Sequence, residues 1–408
     1  MKLGADGFVD LTYCTNIHPG DNWEETLANI RTYGPALKQR LAPREMFGLG
    51  LRISAKECEE LLAGDRLTHF KEFLKEEGLY VALINGFPYG DFHGRRIKEN
   101  VFAPDWRSEA RVDYTLNLIR VLKELLPPGF DGGISTSPLS YKRWDAGARP
   151  SLQTITNNLA RVAEELVRAR RELDCLIHLD IEPEPDGLLE NSKEVVAFYQ
   201  DWLLPVGGAL LADAMNISPV EARKLLLDHV RVCFDTCHFA VEYEDPKTAL
   251  DHFSQAGIMV GRAQVSSALS ITLPDDDSAR QVLRRQLETF ADETYLHQTF
   301  ERRDGGALRR FPDLPDALSA IDEPGPRELR SHFHVPLFAD QFGRLSGTQE
   351  YIRSVFRLLQ ERRFTTHLEI ETYTWEVLPT ELKQALLESI HREYRWVIEE
   401  IKKCEKQS

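Results

Sequence analysis

The sequence predicts an α/β protein, a (β/α)8 TIM barrel that forms a single domain over residues 1–408. Short apolar segments, rich in β-branched and aromatic residues, alternate with amphipathic helical segments. Four of these strand–helix units repeat at a spacing of roughly 35–45 residues, which is typical of parallel strands joined by right-handed crossovers. Several apolar segments also end abruptly in acidic residues or histidine, and strand ends of this kind are where a barrel places its chemistry.

Nine segments have the composition of a strand, one more than a barrel of eight strands needs. They are 8–16, 47–53, 80–85, 133–137, 175–181, 230–238, 258–265, 331–337 and 366–372. Either 258–265 or 331–337 is therefore surplus to the barrel. No glycine-rich nucleotide-binding motif follows any of these strands, which disfavours the alternative of a doubly wound sheet.

Helix boundaries follow from capping residues and from apolar residues at helical spacing. Asp21 with Glu24 and Ser54 with Glu57 match the capping-box pattern, and Gly78 is placed to end the second helical segment. The later helices are predicted at 108–126, 152–173, 192–204, 219–229, 246–255, 348–362 and 379–403.

The segment 270–330 is long, polar and proline-rich, with a hairpin predicted near 297–310. We interpret it as an insertion over the C-terminal face of the barrel, forming a lid or a partner surface. The loop 86–94, dense in glycine and aromatic residues, can bend sharply and cover a site there. Trp375 is a further aromatic residue that can contact a substrate or exclude water.

The composition excludes several classes of partner. A net charge of −15 gives no electrostatic reason to bind nucleic acid or an anionic membrane. There is no run of 18 apolar residues and no basic, then apolar, N-terminal segment, so we expect no membrane span and a cytoplasmic location. The six cysteines are scattered and show no CxxC spacing, which favours buried thiols over disulfides. The oligomeric state is not indicated.

Acidic residues end three of the predicted strands. Glu182 and Asp235 each follow an apolar run, as does one of Glu369 and Glu371. Carboxylates from parallel strands converge at one end of a barrel and repel one another unless a cation lies among them. We prefer Glu371 over Glu369, because it lies nearer the mouth. With the amide of Gln264, the oxygen-rich set favours Mn²⁺ or Mg²⁺, with Zn²⁺ or Co²⁺ as alternatives.

Histidine and amide side chains at other strand ends are candidates to bind a substrate. His238 lies three residues after Asp235 and would bind the metal or a substrate hydroxyl group. His334 competes with Gln264 as a metal ligand and is also a candidate substrate-binding residue. His18 and Asn85, near the ends of the first and third strands, complete this set.

Two loop acids close to the predicted site are interpreted differently. Glu184 and Asp186 follow the strand that ends in Glu182, and they are expected to face solvent as ordinary loop residues.

The motifs at these strand ends resemble those of a known superfamily. LDIEP (179–183), FDTCH (234–238) and LEIET (368–372) resemble the metal site of the xylose isomerase-like barrels, which include sugar isomerases, ketose epimerases, inosose dehydratases and endonuclease IV. Over essentially the whole chain, the sequence resembles the EboE-type metabolite traffic proteins through TYCTNIHPG, NGFPYGDFHG, PDW, HFHVPLF and HLEIETYTW.

The resemblance implies a specific set of roles. Glu182, Asp235, Gln264 and Glu371 would hold one divalent metal, with Gln264 replacing the histidine more usual in these families. Glu182 and Glu371 would act as acid and base on opposite faces of the substrate, and His238 would contact a substrate oxygen.

We therefore expect a metal-dependent isomerase or epimerase of a polyhydroxylated small molecule, such as a sugar, sugar phosphate or cyclitol. Proton transfer would pass through a metal-stabilised enediolate, in a secondary-metabolite pathway. One alternative is a barrel that binds or hands on a metabolite without catalysis. A second is an endonuclease IV-like phosphodiesterase, which needs a histidine-rich zinc site and a basic surface. A glycoside hydrolase with two carboxylates and no metal is a weaker alternative.

Overall fold

Eight parallel strands curl into a barrel in the computed structural model, which describes residues 1–4, 6–90, 97–145, 149–173, 175–291, 294–325, 327–342, 344–373 and 385–406. The barrel strands are β2 (Val9–Tyr13), β3 (Phe47–Arg52), β4 (Leu79–Asn85), β5 (Gly132–Thr136), β6 (Ile177–Ile181), β7 (Val230–Asp235), β8 (Val260–Val265) and β15 (His367–Ile370). Each strand pairs in parallel with its neighbour along the chain, and β15 pairs with β2. A bridge between Cys14 and Gly50 brings β2 to β3 and closes the ring, while β1 (Lys2–Leu3) pairs antiparallel with β2.

Helices lie between successive barrel strands and pack on the outside of the barrel. Those of the first half are α1 (Trp23–Leu41), α2 (Ala55–Leu62), α3 (Arg66–Glu77), α4 (Glu109–Leu125), α5 (Lys142–Asp145) and α6 (Arg149–Leu173). Those of the second half are α7 (Ser192–Phe198), α8 (Gly208–Met215), α9 (Pro219–His229), α10 (Thr236–Val241), α11 (Pro246–Gln255), α14 (Gln349–Arg362) and α15 (Leu386–Glu405), whereas α12 (Asp277–Glu288) and α13 (Leu314–Ser319) belong to the insertion described below. The predicted start of the last helix, near residue 379, lies outside the described residues.

Local capping signals set most helix ends as predicted, with one exception. Ser54 and Glu57 form the predicted capping box at the start of α2. Gly78 ends α3 in the left-handed conformation, with φ of 64°. The predicted box of Asp21 with Glu24 is wrong by one residue, because the side chain of Asn22 accepts the hydrogen bond from the backbone of Glu25.

The helix predicted at 192–204 runs further than expected. It continues from α7 through a π-helical stretch, Tyr199–Gly207, into α8. Pro205 has no N–H to donate, and the wider π-helical turn accommodates it. The whole helix, Ser192–Met215, is long and apolar enough to cross a membrane by length and composition alone. However, 44% of its most apolar 18-residue stretch is buried within the protein, and the helix packs against α6. The core helix of a soluble protein passes the same test.

The insertion is a second, antiparallel sheet of six strands. Its strands are β9 (Leu269–Leu273), β10 (Thr299–Arg303), β11 (Leu308–Phe311), β12 (Arg327–Ser331), β13 (Gln341–Phe342) and β14 (Leu345–Gly347). Strands β10 and β11 form the predicted hairpin. The insertion has its own apolar cluster, made by residues that include Leu269, Leu283, Leu287, Leu314 and Leu329. It therefore extends over 269–347, beyond the predicted bounds of 270–330.

The ninth predicted strand belongs to this insertion. Residues 258–265 supply the barrel strand β8, whereas 331–337 does not join the barrel. After β12 the chain crosses from the second sheet to the barrel rim. His332 donates its backbone N–H to Gln298 O of the insertion, and Val335 donates to Ser267 O beyond β8, both at 2.9 Å. This crossing segment carries His332 and His334.

The interior of the barrel contains a buried ion-pair network. Arg262 on β8 donates to Asp180 on β6 at 3.0 Å and to Glu369 on β15 at 2.9 Å, and all three side chains have no exposed surface. His178 Nδ1 lies 2.5 Å from Asp180 Oδ1. These partners satisfy charges that would be costly to bury alone.

Glycine makes room for this network, so we expect Gly261→Ala to destabilise the protein by at least about 1–3 kcal/mol. A Cβ atom at Gly261 would lie 1.9 Å from Asp180 Oδ1, much closer than two non-bonded atoms can approach. The Asp180 carboxylate cannot move away without breaking its ion pairs. Urea unfolding followed by circular dichroism measures the difference. Gly90→Ala is the matched control, because a Cβ there meets no atom of the described residues within 4 Å. Equal stability of the two variants would contradict this account of the barrel interior.

Candidate metal centre

Three carboxylates from three different strands meet at the C-terminal end of the barrel. Glu182 follows β6, Asp235 ends β7 and Glu371 follows β15. Each offers an oxygen atom within 4.8 Å of the other two, and all three side chains are buried. The convergence follows from the parallel topology, because all three strands end at the same rim.

Hydrogen bonds hold these carboxylates in place but leave oxygen atoms free. Asp235 Oδ1 accepts from the backbone of Cys237 at 2.7 Å and of His238 at 3.1 Å, and from Ser266 Oγ at 2.6 Å. Asp235 Oδ2 and Glu182 Oε2 are buried and have no hydrogen-bond partner among the described residues. Buried carboxylate oxygens without a donor are what a cation requires, so these residues fit a divalent metal.

Glu371 is oriented by two amides. Its Oε1 accepts from Asn16 Nδ2 at 2.7 Å and from Asn85 Nδ2 at 2.9 Å. Its neighbour Glu369, two residues earlier, points into the barrel and pairs with Arg262. The two-residue spacing along β15 thus separates a carboxylate in the cavity from one in the interior network.

The electrostatics of the trio also favour a cation. Burial raises the pKa of Glu182 and of Glu371 well above the usual value for glutamate, and neighbouring carboxylates raise both further. Burial alone would raise the pKa of Asp235 too, but attraction to His238 and His334 leaves that pKa below its usual value. Three carboxylates this close carry a repulsion that a divalent ion would remove.

Three histidines reach the same cavity, and Nδ1 of each lies at hydrogen-bond distance from a carbonyl oxygen. The pairs are His238 with Pro183 O at 2.9 Å, His332 with Gln298 Oε1 at 2.8 Å, and His334 with Glu371 O at 2.9 Å. A carbonyl oxygen only accepts, so Nδ1 of each ring carries the proton. Nε2 of each ring therefore presents a lone pair.

The Nε2 atoms lie close to one another and to Asp235. His332 Nε2 is 3.3 Å from His334 Nε2. His238 Nε2 and His334 Nε2 are each 3.9 Å from Asp235 Oδ2. Burial lowers the pKa of all three rings, that of His334 to about 4, so the rings are neutral at neutral pH. Neutral imidazole is the form that binds metal ions.

Two of the predicted site residues are placed away from the trio. Gln264 does not line the cavity, and its Oε1 accepts from Cys233 Sγ at 3.1 Å. Strand β8 continues to Val265, so the Gln264 side chain still lies inside the barrel. His18 does not line the cavity either, since its ring stacks on Tyr33 at 4.3 Å. Asn85 does line the cavity, as predicted.

The prediction that Glu184 and Asp186 face solvent is wrong. Their exposed fractions are 5% and 1%, because the insertion covers them. Glu184 lines the cavity, and its Oε1 lies 3.4 Å from both Gln298 Nε2 and His332 Nδ1. Asp186 pairs with Arg310 of the insertion. Nothing in the local sequence indicates this burial. Asn16, which orients Glu371, was also missed, although it lies in the TYCTNIHPG motif.

The cavity lining combines polar and apolar side chains. Phe87, Pro88, Val101 and Tyr373 line it together with the carboxylates and histidines, and Tyr373 stacks on His334 with ring centroids 4.7 Å apart. The predicted covering loop thus contributes Phe87 and Pro88, while 91–94 and Trp375 lie outside the described residues. A lining of this mixed kind suits a small molecule that carries both polar groups and C–H surface.

A scan against protein-family models and a search of curated proteins found no match. Among solved structures, a D-tagatose 3-epimerase-like protein is 10% identical with a TM-score of 0.47, covering 98% of this chain and 99% of that one. A xylose isomerase domain protein from Alicyclobacillus acidocaldarius is 10% identical with a TM-score of 0.45, covering 98% and 99%. The IOLI protein with a zinc atom is 13% identical with a TM-score of 0.44, covering 97% and 99%.

The order and register of the strands define the architecture of this chain independently of those similarities. Eight parallel strands follow one another around a ring, and the carboxylates at their ends converge on one cavity. The chain has the TIM barrel fold, and solved structures similar to it include xylose isomerase-like barrels.

Proposed function

We propose that the protein is a divalent-metal-dependent isomerase or epimerase that acts on a polyhydroxylated small molecule, such as a sugar, sugar phosphate or cyclitol. The observation that carries this proposal is the buried trio of Glu182, Asp235 and Glu371, with oxygen atoms that have no donor. The motif likeness to EboE-type metabolite traffic proteins supports a substrate from secondary metabolism. We place the protein in the cytoplasm, as the sequence predicts, and its acidic composition argues against a nucleic-acid partner.

The carboxylate trio would hold the metal, with an imidazole as the next donor. His238 and His334 are the better candidates than Gln264, because their Nε2 atoms lie 3.9 Å from Asp235 Oδ2. Oxygen ligands favour Mn²⁺ or Mg²⁺, and an added imidazole also allows Zn²⁺ or Co²⁺. A divalent ion bound there would polarise a substrate carbonyl and make a neighbouring C–H or hydroxyl group more acidic.

Glu182 and Glu371 would move protons on two sides of a substrate. They enter the cavity from β6 and β15, which are separated around the barrel by β7 and β8. Glu182 Oε2 has no partner, and the two amides that bind Glu371 Oε1 fix the direction of its other oxygen. One carboxylate can remove a proton from carbon while the other returns one.

Side chains around the trio would position the substrate. His238 reaches the cavity from the turn after β7 and would contact a hydroxyl or carbonyl oxygen of the substrate. Phe87, Val101 and Tyr373 would contact its C–H face and exclude water. We do not assign His18 to substrate contact, because it is not among the residues that line the cavity and its ring stacks on Tyr33.

The test is exchange of a substrate proton with deuterium from solvent. The metal-loaded protein is incubated in D₂O with a panel of ketoses, sugar phosphates and inososes, and deuterium incorporation is followed by NMR. For an accepted substrate, Glu371→Gln should reduce exchange by about 10²–10⁴-fold, since it removes an acid–base group. Glu361→Gln, at an exposed position on α14, is the matched control and should exchange as the wild type does.

Two results would count against these assignments. If Glu369→Gln abolishes exchange in a folded protein and Glu371→Gln does not, the catalytic carboxylate is Glu369. If a compound binds with measurable affinity but no proton exchanges, the protein is a metabolite-binding barrel without catalysis.

One observation supports a second candidate, an endonuclease IV-like phosphodiesterase. Three imidazoles in one cavity suit the histidine-rich zinc site which that chemistry needs. The net charge of −15 opposes it, because a phosphodiester backbone is anionic. Cleavage of abasic-site DNA by the zinc-loaded protein would move this candidate ahead of the isomerase.

A further inference from the structure

A buried glutamate on the last helix contacts both of the segments that carry Glu371 and His334. Glu393 lies on α15, its side chain is 1% exposed, and it does not line the cavity. Its Oε1 accepts from the backbone N–H of Leu337 at 2.9 Å, and its Oε2 accepts from Thr372 Oγ1 at 3.0 Å. Leu337 lies at the end of the crossing segment, and Thr372 directly follows Glu371. One side chain outside the cavity thus joins the two segments.

The same two segments also contact each other at the cavity. His334 Nδ1 donates to Glu371 O at 2.9 Å, and this carbonyl belongs to the peptide bond between Glu371 and Thr372. Leu337 follows His334 by three residues. The contacts therefore form a closed ring, which runs from Glu393 through Thr372 and Glu371 to His334 and returns through Leu337. A shift of either segment would strain or break a hydrogen bond of Glu393.

The Leu337 peptide is held from two helices. Its N–H donates to Glu393 of α15, and its carbonyl oxygen accepts from Gln349 Nε2 of α14 at 2.5 Å. Leu337 and Thr372 are both buried, so water would not readily replace a hydrogen bond that Glu393 no longer makes. The loss of the Glu393 side chain would therefore free the end of the crossing segment on one side.

A carboxyl group is costly at this buried position. Both of its donors are neutral groups, and burial raises the pKa of Glu393 to about 8, although the hydrogen bonds and Arg392 lower it. At neutral pH the carboxyl group is therefore mostly protonated. An apolar side chain would avoid this cost, but it could not join the two segments. The choice of residue thus favours a role in placing these segments over a role in stability alone.

We propose that Glu393 is a positioning residue of the metal centre, which holds Glu371 and His334 in the arrangement that receives a divalent ion. It acts through Thr372 and Leu337 and touches neither the ion nor the substrate. The inference rests on the proposed function, because Glu371 belongs to the carboxylate trio that would bind the ion. It gives α15, which packs on the outside of the barrel, a part in the affinity of the site.

The test is the affinity of the full-length protein for Mn²⁺. The chain is stripped with a chelator and titrated with Mn²⁺, the free ion is measured by its electron paramagnetic resonance signal, and the binding that remains in Asp235→Ala is subtracted. We expect Glu393→Ala to weaken binding about 10-fold, at the lower end of what the loss of a residue that supports a metal ligand costs. Glu393→Gln keeps one acceptor and one donor, as the protonated carboxyl group does, and should bind Mn²⁺ as the wild type does.

Glu57 provides a matched control, because it is an equally buried glutamate with the same kinds of donor. It accepts from Thr26 Oγ1 at 2.5 Å and from the backbone N–H of Ser54 at 2.6 Å, and it also pairs with Arg52. These contacts join α1 and α2 rather than the segments that carry Glu371 and His334. Glu57→Ala should therefore lower the stability of the protein, measured by urea unfolding, and leave its affinity for Mn²⁺ unchanged.

The outcomes separate this inference from the proposed function. Wild-type affinity for Mn²⁺ in a folded Glu393→Ala would overturn the positioning role and leave the carboxylate site standing. An equal loss of affinity in Glu57→Ala would also overturn it, because affinity would then follow overall stability. A wild type that binds no more Mn²⁺ than Asp235→Ala would overturn both proposals. If Glu393→Ala does not fold, Thr372→Val removes the hydroxyl group of one contact, and unchanged affinity in that variant would overturn the positioning role.

Discussion

Asp235→Ala is expected to lower the affinity of the carboxylate trio for a divalent ion at least about 100-fold. Loss of a supporting residue costs about 10–100-fold in metal affinity, and loss of a ligand costs at least the upper end of that range. Asp235 also offers the oxygen that lies between the carboxylates and the imidazoles. Metal content after dialysis, measured by plasma mass spectrometry, gives the result directly.

Asp235 has a second, structural role that a matched variant isolates. Its Oδ1 caps the N-terminus of α10 through the backbone of Cys237 and His238, a contact of about 0.5–2 kcal/mol. Asp235→Asn keeps an oxygen at the cap but removes the charge. We expect both variants to lose metal and only Asp235→Ala to lose the cap stability. Full metal content in Asp235→Asn would show that this carboxylate is not a ligand.

Arg262→Met is expected to destabilise the protein by about 3–5 kcal/mol, the largest effect on folding that we predict. Arg262 has no exposed surface, and it neutralises Asp180 and Glu369 at 3.0 and 2.9 Å in the barrel interior. Removing the cation leaves two buried carboxylates, with only His178 remaining beside Asp180. Urea unfolding monitored by tryptophan fluorescence and circular dichroism measures the change.

The two partners of Arg262 respond differently, and this gives a pH test. Burial alone would raise the pKa of Asp180, but His178 and Arg262 bring it below its usual value. Burial raises the pKa of Glu369 and Arg262 lowers it, but burial has the larger effect. The pKa of Glu369 therefore stays above the usual value for glutamate. Asp180 thus contributes stability that is present above its unfolded pKa, about 3.9, and is lost as pH falls through the lower folded value. Arg262→Met should therefore move the acid-unfolding midpoint to higher pH.

An exposed ion pair provides the control for Arg262. Arg395 pairs with Glu399 on α15 at 3.0 Å, and the two side chains are 62% and 55% exposed. Arg395→Met should change stability by no more than about 1 kcal/mol. If Arg262→Met is as mild as this control, the interior network does not stabilise the barrel.

The strand-end carboxylates could be predicted from the sequence, because their positions depend on local features of the chain. An apolar run that ends in Glu182 or Asp235 identifies both a buried strand and its C-terminal end. Parallel topology then brings these ends to one rim, whatever the details of the loops. Strand alternation puts Glu369 and Glu371 on the same face of β15, so the choice of Glu371 rested only on its position nearer the mouth of the barrel. The fold and the carboxylate trio follow from such signals.

Residues whose environment depends on distant segments could not be predicted in this way. Gln264 also comes near the end of a strand, but β8 runs one residue further, so its side chain lies with Cys233 inside the barrel. Glu184 is a loop acid by every local criterion, but it is buried and contacts Gln298 and His332, which lie more than a hundred residues away. The residues next to Gln264 and Glu184 in the sequence indicate neither of these environments.

The sequence by itself determined the barrel, the rim at which the chemistry lies and the three carboxylates, because periodicity and strand ends are local properties of the chain. Only the tertiary structure decided that the second sheet delivers His332 and His334 to that rim, and that Arg262 neutralises the charges beneath it. These features arise from contacts between segments far apart in sequence. Their free energies depend on side-chain direction and burial, which no single segment encodes.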